Sequence, residues 1–242
     1  MEAIAALGNR LLVRPAQERL LSIEGERGVL GRAHRMYTGH SVELNRDLWG
    51  GHSWRSDADD FTWSRDWKQE MVDGLLRPTM SAGGIILEIG PGGGRWSKHL
   101  VEWADELILV DITAHTLNLC RERLGSNGSV RFIHNHGADL PGIPDVSVDR
   151  IWSYDVFVHI APLDTAGYLH EIARVLRPGG VAVIHHAGAS RPLPPEHGWR
   201  SPMTAKLFAN LAVERGLTVK RQLTEDQLPV GYGDVITILS RA

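Results

Sequence analysis

From Gly84 onward, short apolar runs alternate with helical patterns, and this alternation constrains the fold of the 242-residue chain more than any other feature. An apolar run bounded by turn signals is a strand buried on both faces, and helices between such strands are the crossovers of a parallel sheet. The spacing predicts strands over residues 85–89, 107–111, 131–135, 150–154, 181–186 and 235–240, with a weaker one over 218–223. Helices are expected over 113–124 and 165–176, and Arg-Pro-Gly-Gly at 177–180 reads as a turn. Another helix, over 66–76, is expected to stop at Pro78. The fold class is therefore α/β, a doubly wound sheet of seven strands.

Upstream of Gly84 the chain changes character. Residues 1–30 are rich in Ala, Leu, Glu and Arg, with Ile4, Leu7, Leu11, Leu12, Leu20 and Leu21 in helical spacing and Pro15 dividing the stretch into two pieces. Between Tyr37 and Trp67 the composition turns to Trp, His, Asp, Gly and Ser, and this short span holds Trp49, Trp54, Trp63 and Trp67. The expected division is an N-terminal helical and Trp-rich cap over 1–70 and the sheet domain over 71–242. An amphipathic segment outside the sheet must bury its Leu and Ile side chains, so a homodimer through the N-terminal helices is expected.

Composition removes several classes of function. Lys and Arg total 26 against 29 Asp and Glu, without the basic excess that phosphate-backbone binding requires, so nucleic acid is not the expected partner. A single cysteine, Cys120, excludes an intrachain disulfide framework and fits a reducing compartment. The chain lacks an apolar stretch of membrane-spanning length, and its first residues lack the pattern of a signal peptide, so the expected location is the cytoplasm.

The chemistry concentrates in Ile-Leu-Glu-Ile-Gly-Pro-Gly-Gly-Gly-Arg-Trp at 86–96, a buried strand followed by a turn and a helix start. Gly90, Gly92 and Gly94 let the backbone take positive φ and let a ligand approach the main chain. Asp111 ends the next strand and lies 17 residues beyond Gly94, where a carboxylate of a βαβ unit accepts both hydrogen bonds of a ribose diol. The ligand is thus read as a nucleoside. Arg95 stands where a dinucleotide fingerprint has its third glycine, and Glu88 lies inside the strand, where a carboxylate would repel a pyrophosphate. A cationic sulfonium amino acid joined to adenosine fits better than NAD.

Residues from about Gly84 to Ala187 resemble the class I S-adenosylmethionine-dependent methyltransferases. The resemblance rests on the glycine turn, on Leu-Val-Asp-Ile at 109–112, on His-Gly-Ala-Asp-Leu-Pro at 136–141 with Val-Asp-Arg-Ile-Trp-Ser at 148–153, and on Arg-Val-Leu-Arg-Pro-Gly-Gly-Val at 174–181. It implies a Rossmann-like sheet with its last strand antiparallel, running between the fifth strand and the weaker one. It implies S-adenosyl-L-methionine as cofactor and S-adenosyl-L-homocysteine as product. Glu88 and the turn Gly90, Gly92 and Gly94 would cradle the methionine part, and Asp111 would hold the ribose. Ile112 would pack on the adenine, Gly137, Ala138 and Asp139 would border its edge, and Ser153 to Asp155 would face the sulfonium and the acceptor.

Methyl transfer to a hydroxyl also requires removal of a proton, and histidine is the side chain poised for that near neutral pH. His159, just beyond the fourth strand, and His186, at the end of the fifth, are the candidate bases, with Asp155 in support. Strand alternation sends His185 and His186 to opposite faces, and His186, nearer the end, is preferred. Ser-Tyr-Asp-Val-Phe-Val-His-Ile at 153–160, together with Ile-His-His-Ala at 184–187, resembles a bacterial subgroup of small-molecule and glycan methyltransferases. Aromatic faces pack on sugar rings, so the Trp-rich stretch fits a saccharide, against the plainer reading of a cluster anchoring the cap. The acceptor is therefore expected to be a small molecule carrying a saccharide hydroxyl. Small-amine N-methylation and a non-catalytic nucleoside-binding scaffold are the alternatives. His52 with Asp57, Asp59 and Asp60 offers ligands for a divalent ion such as Mg2+, but the spacing is not specific for a metal, and a solvated loop and helix cap is the preferred reading of the three aspartates.

Overall fold

The structure, a computed structural model, describes residues 41–124, 128–188 and 200–242. Helix α1 (Val42–Gly50) is followed by a loop and by a helical run made of α2 (Arg65–Met71), a π-helical turn (Val72–Leu76) and α3 (Arg77–Met80). The alternating part comprises β1 (Ile85–Ile89), α4 (Ser97–Trp103), β2 (Glu106–Asp111), α5 (Ala114–Leu124), β3 (Val130–His134), β4 (Val148–Phe157) and α6 (Pro162–Val175). It continues with β5 (Leu176–His186), α7 (Ala205–Glu214), β6 (Leu217–Leu223) and β7 (Val235–Arg241). The strands form one sheet in the order β3-β2-β1-β4-β5-β7-β6, with β7 antiparallel to both neighbours. This is the expected Rossmann-like sheet with its antiparallel last strand.

Period-two alternation divides the core into two layers. Leu87, Ile89, Ile108, Val110, Ile151 and Ile184 face one side, where they pack with Leu169 and Ile172 of α6 and Phe208 and Leu211 of α7. Ile86, Leu107, Leu109, Trp152, Tyr154 and Val183 face the other, against Met71, Leu75 and Met80 of the N-terminal helical run, Leu100 of α4 and Leu117 and Cys120 of α5. The strand order reverses between β1 and β4, and a crevice opens there at the carboxyl ends of the strands.

Three expectations change. The helix meant to end at Pro78 runs on to Met80, because the π-helical turn before it widens the spiral where proline lacks an N–H and its ring crowds a carbonyl. The division drawn at residue 70 falls inside this run, whose Trp67 and Met71 are buried in the sheet layer. Arg-Pro-Gly-Gly belongs to β5 itself, where Gly179 takes φ +75° and the pairing with β4 shifts register. The N-terminal helices, the dimer contact expected through them and the loop over 191–198 lie outside the described residues.

Candidate active site

A cavity of about 310 Å3 lies over the crevice. Its sheet side comes from Gly90, Pro91, Gly92 and Gly93 of the turn after β1, and from Val110, Asp111 and Ile112 at the end of β2. Its opposite walls come from the cap: Asn45 and Trp49 of α1, then Trp54, Phe61, Trp63 and Trp67. Asp155 and His159 line it from the end of β4, with Arg95, Tyr154 and Arg200.

Asp111 is placed by β2 and held by the residue two places on: its Oδ1 accepts from Thr113 N at 2.8 Å and Thr113 Oγ1 at 2.9 Å. Burial raises its carboxyl, opposed by those bonds. Both bonds converge on one oxygen of a carboxylate that borders the cavity, an acceptor suited to the two hydroxyls of a ribose diol. Ile112 and Thr116 lie beside it. At the turn, Gly92 takes φ +54°, and a Cβ there would come within 2.7 Å of the Trp54 ring. Glycine is thus required both by backbone conformation and by the indole lying on the turn, a contact that the strand-and-turn pattern does not signal.

Glu88 does not line the cavity. It is buried beneath the turn and accepts from Ser97 Oγ at 2.5 Å, and burial pushes it up to about 7 despite that bond and nearby Arg95. Gly94 packs near Cys120, and Ser153 is buried with its hydroxyl donating to the Ile89 carbonyl at 2.9 Å. Gly137, Ala138 and Asp139 also fall outside the lining. Val42 of α1 covers Gly137, Ala138 lies against Gly167, and Asp139 accepts from the His136 backbone N–H at 2.9 Å. None of these three residues lines the cavity, and of them only Gly137 is covered by the cap.

His186 requires a correction as well. It points to the α7 face, stacked on Phe208 with ring centroids 3.7 Å apart. Its Nδ1 lies 2.8 Å from the Ala187 carbonyl and its Nε2 2.7 Å from Thr237 Oγ1. Burial pushes it down to about 3, so it is neutral and walled off from the cavity. Alternation does send the two neighbours to opposite faces, and His185 is the one on the cavity side. His159 lines the cavity, its ring 5.0 Å from that of Trp49, and its carbonyl accepts from Asn45 Nδ2 at 3.0 Å.

Asp155 has left-handed φ, +61°, at the irregularity where β4 loses register with β5. For a residue with a Cβ this costs about 1 kcal/mol, and it turns the carboxylate into the crevice. There Arg95 Nη2 donates to Oδ2 at 2.6 Å, and His185 Nδ1 lies 3.2 Å from Oδ1. Burial raises its carboxyl, but the Arg95 charge and His185 outweigh that and hold it well below the usual carboxylate range. Arg95 also donates to the Asp60 and Phe61 carbonyls, tying the cap loop to the floor. Asp57 pairs with Arg55 at 2.8 Å, and Asp59 with Lys68 and with Lys98, the latter at 3.3 Å. Among the described residues no group of three or more His, Cys, Asp or Glu side chains is arranged to hold a metal ion, so Mg2+ has no assigned ligands. Within the same residues no helix is long and apolar enough to cross a membrane.

Residues 87–184 match the model of a methyltransferase domain family. Dimethylglycine N-methyltransferase of Parasynechococcus marenigrum is 31% identical over 112 residues, 45% of this chain and 39% of that protein. A Mycobacterium avium protein provisionally named an O-methyltransferase is 28% identical over 166 residues, 65% of this chain and 71% of that one. The fold is similar to that of geranyl diphosphate C-methyltransferase from Streptomyces coelicolor, solved with Mg2+, geranyl diphosphate and S-adenosyl-L-homocysteine. That likeness has a TM-score of 0.59 at 12% identity and covers 83% of this chain and 98% of that one. The chain spans 32% to 57% of the length of four curated relatives it matches.

Proposed function

We propose that the protein, whose residues 87–184 match a methyltransferase domain family, is an S-adenosylmethionine-dependent enzyme that methylates a hydroxyl of a saccharide or glycosylated small molecule, releasing S-adenosyl-L-homocysteine. What carries the reading is the cavity itself: Asp111 and the glycine turn on one wall, indole and phenyl rings on the other, and Asp155 and His159 between them. S-adenosylmethionine, when bound, supplies an already activated methyl group, so the protein's tasks are alignment, exclusion of water and removal of one proton. Asp111 binds the ribose hydroxyls. The aromatic walls exclude water and stack on the acceptor ring.

Asp155 orients the acceptor hydroxyl by accepting its hydrogen bond. A carboxylate held so acidic is a poor proton acceptor, which leaves the proton to His159. Neither a metal nor a nucleic acid has a part in this reading. N-methylation of a small amine is the second reading, favoured by the aromatic walls around a carboxylate, which also suit a cation.

The test is an acceptor screen with radiolabelled S-adenosylmethionine, beginning with glycosides and followed by amines, on the parent and on His159→Ala. A hydroxyl acceptor with a His159 base predicts a loss of about 10²- to 10⁴-fold in turnover, with S-adenosylhomocysteine affinity within about twofold. Unchanged turnover in His159→Ala removes that base, and methylation of amines alone moves N-methylation to the front. Tight S-adenosylhomocysteine binding without transfer to either class leaves a nucleoside-binding scaffold.

A further inference from the structure

Behind the cavity floor, five ionisable side chains drawn from distant stretches form a row of alternating charge. Arg95 Nη2 lies 2.6 Å from Asp155 Oδ2, and Asp155 Oδ1 lies 3.2 Å from His185 Nδ1. His185 Nε2 is 3.5 Å from Asp234 Oδ2, which Arg200 Nη2 meets at 3.0 Å. The inner members are sealed off, His185 with 1% of its side chain exposed and Asp234 with none. The outer members, Arg95, Asp155 and Arg200, all line the same cavity. A row that only fastened β5 to the turn before β7 would have no need to emerge in the cavity at both ends. Moreover, an apolar set of the same volume would fasten it at least as well, since burying charges costs free energy that pairing only partly returns.

We infer that His185 and Asp234 are positioning residues, which lock the Asp155 carboxylate and the Arg200 guanidinium in fixed register so that the acceptor meets a preformed anion and a preformed cation. This rests on the methyltransferase reading of the cavity and specifies its acceptor: a molecule presenting a hydrogen-bond donor and, a few ångströms away, an acceptor, as neighbouring sugar hydroxyls do. The groups facing His185 are Asp155 and the Tyr154 ring of β4, stacked at 4.2 Å, and Asp234 before β7. Arg95 and Arg200 stand beyond the two carboxylates, and His186 faces the other layer. Burial alone would lower the imidazole, but a carboxylate at each nitrogen outweighs it and raises it above its ordinary value. In the protonated ring Nδ1–H is directed at Asp155 Oδ1, 3.2 Å away, whereas Nε2 meets Asp234 Oδ2 at 3.5 Å as an ion pair without a hydrogen bond. On deprotonation Nδ1 becomes the acceptor of the Asp155 backbone N–H, 3.1 Å away, and the bridge is broken at that end.

The experiment is a nitrogen-15 NMR titration of the imidazoles in the full chain saturated with S-adenosylhomocysteine, with His185 assigned by the signal lost in His185→Gln. The expected result is a doubly protonated His185 at pH 7. Its midpoint falls by at least one pH unit, tenfold in proton affinity, in Asp234→Asn and returns toward the parent value in Asp234→Glu. With a glycoside acceptor, His185→Gln and Asp234→Asn should raise acceptor KM about tenfold and change kcat less than threefold. A neutral His185 at pH 7 in the parent overturns the inference without any variant having to fold, and so does a midpoint indifferent to Asp234→Asn. If no glycoside is methylated, the saccharide reading fails while the titration still decides the bridge. If S-adenosylhomocysteine does not bind, the methyltransferase reading fails first.

Discussion

The two walls of the cavity are built by different means. The sheet wall is made of one turn and two strand ends contiguous with the core: Gly90 to Gly93 follow β1 directly, and Asp111 closes β2. The opposite wall is made of single side chains from separate places, Trp49 on α1, Trp54 and Phe61 on a loop, and Tyr232 before β7, with Arg95 bonding the cap loop to the floor. A wall of the first kind is fixed by the strand register. A wall of the second kind depends on many long-range contacts, so changes of side chain can reshape it while leaving the sheet intact.

The sharpest way to break this contrast is Asp111→Ala. Removing two charge-assisted hydrogen bonds, each worth roughly 1.5–3 kcal/mol, should weaken S-adenosylhomocysteine binding about a thousandfold by calorimetry, with the melting temperature lowered by a few degrees because the Thr113 donors lose their partner. Retained affinity would mean that the sheet wall does not hold the ribose.

Glu88 gives the next largest effect, on stability. Its carboxyl titrates near 7 in the folded protein against an ordinary 4.5, because it is buried. The folded state therefore holds the extra proton between those values, and stability falls as pH rises from about 4.5 to about 7, by at most about 3 kcal/mol. Glu88→Gln keeps the shape and removes the titration. Denaturant unfolding at pH 5 and pH 8 should show the variant losing less stability than the parent between the two; equal losses would place Glu88 in a more polar setting than its burial indicates.

The smallest effect expected on chemistry is that of His186→Asn. With its ring against Phe208 and Thr237, the substitution should cost about 1–3 kcal/mol in stability through the lost stacking and an imperfectly paired Thr237. Turnover should stay within about twofold; a large loss would restore His186 to the reaction.

The same contrast separates what was legible in the sequence from what was not. Buried strands announce themselves as apolar runs, so β1, β2 and β7 lie within about a residue of the expected limits, as do the more polar edge-side β3 and β6, and the glycine turn and Asp111 come with them. The longer β4 and β5 extend beyond their apolar centres, because their ends pair through irregular register that no local pattern encodes. His186 shows how far proximity in sequence misleads: nearness to the strand end favoured it, whereas the face on which it lies was decided by packing with α7. Arg200 and Asp234 carried no signal at all, since each is an ordinary charged residue until the fold brings it to His185. Alternation did predict that the two histidines would lie on opposite faces, and His185, beside Tyr154 and Asp155 of β4, is the one on the layer of the sheet behind the cavity floor.

The position of β7 has a consequence for how the molecule is made. Among the described residues β6 has no partner in the sheet other than β7, and β7 lies between it and β5. On a ribosome, β1 to β5 can pair as they emerge, but the outer edge of β5 stays open until the much later β7 arrives to insert beside it. An open strand edge is a template for pairing with other chains. Between those two moments the nascent protein is therefore most exposed to aggregation, and Asp234, immediately before β7, reaches His185 only when that interval ends.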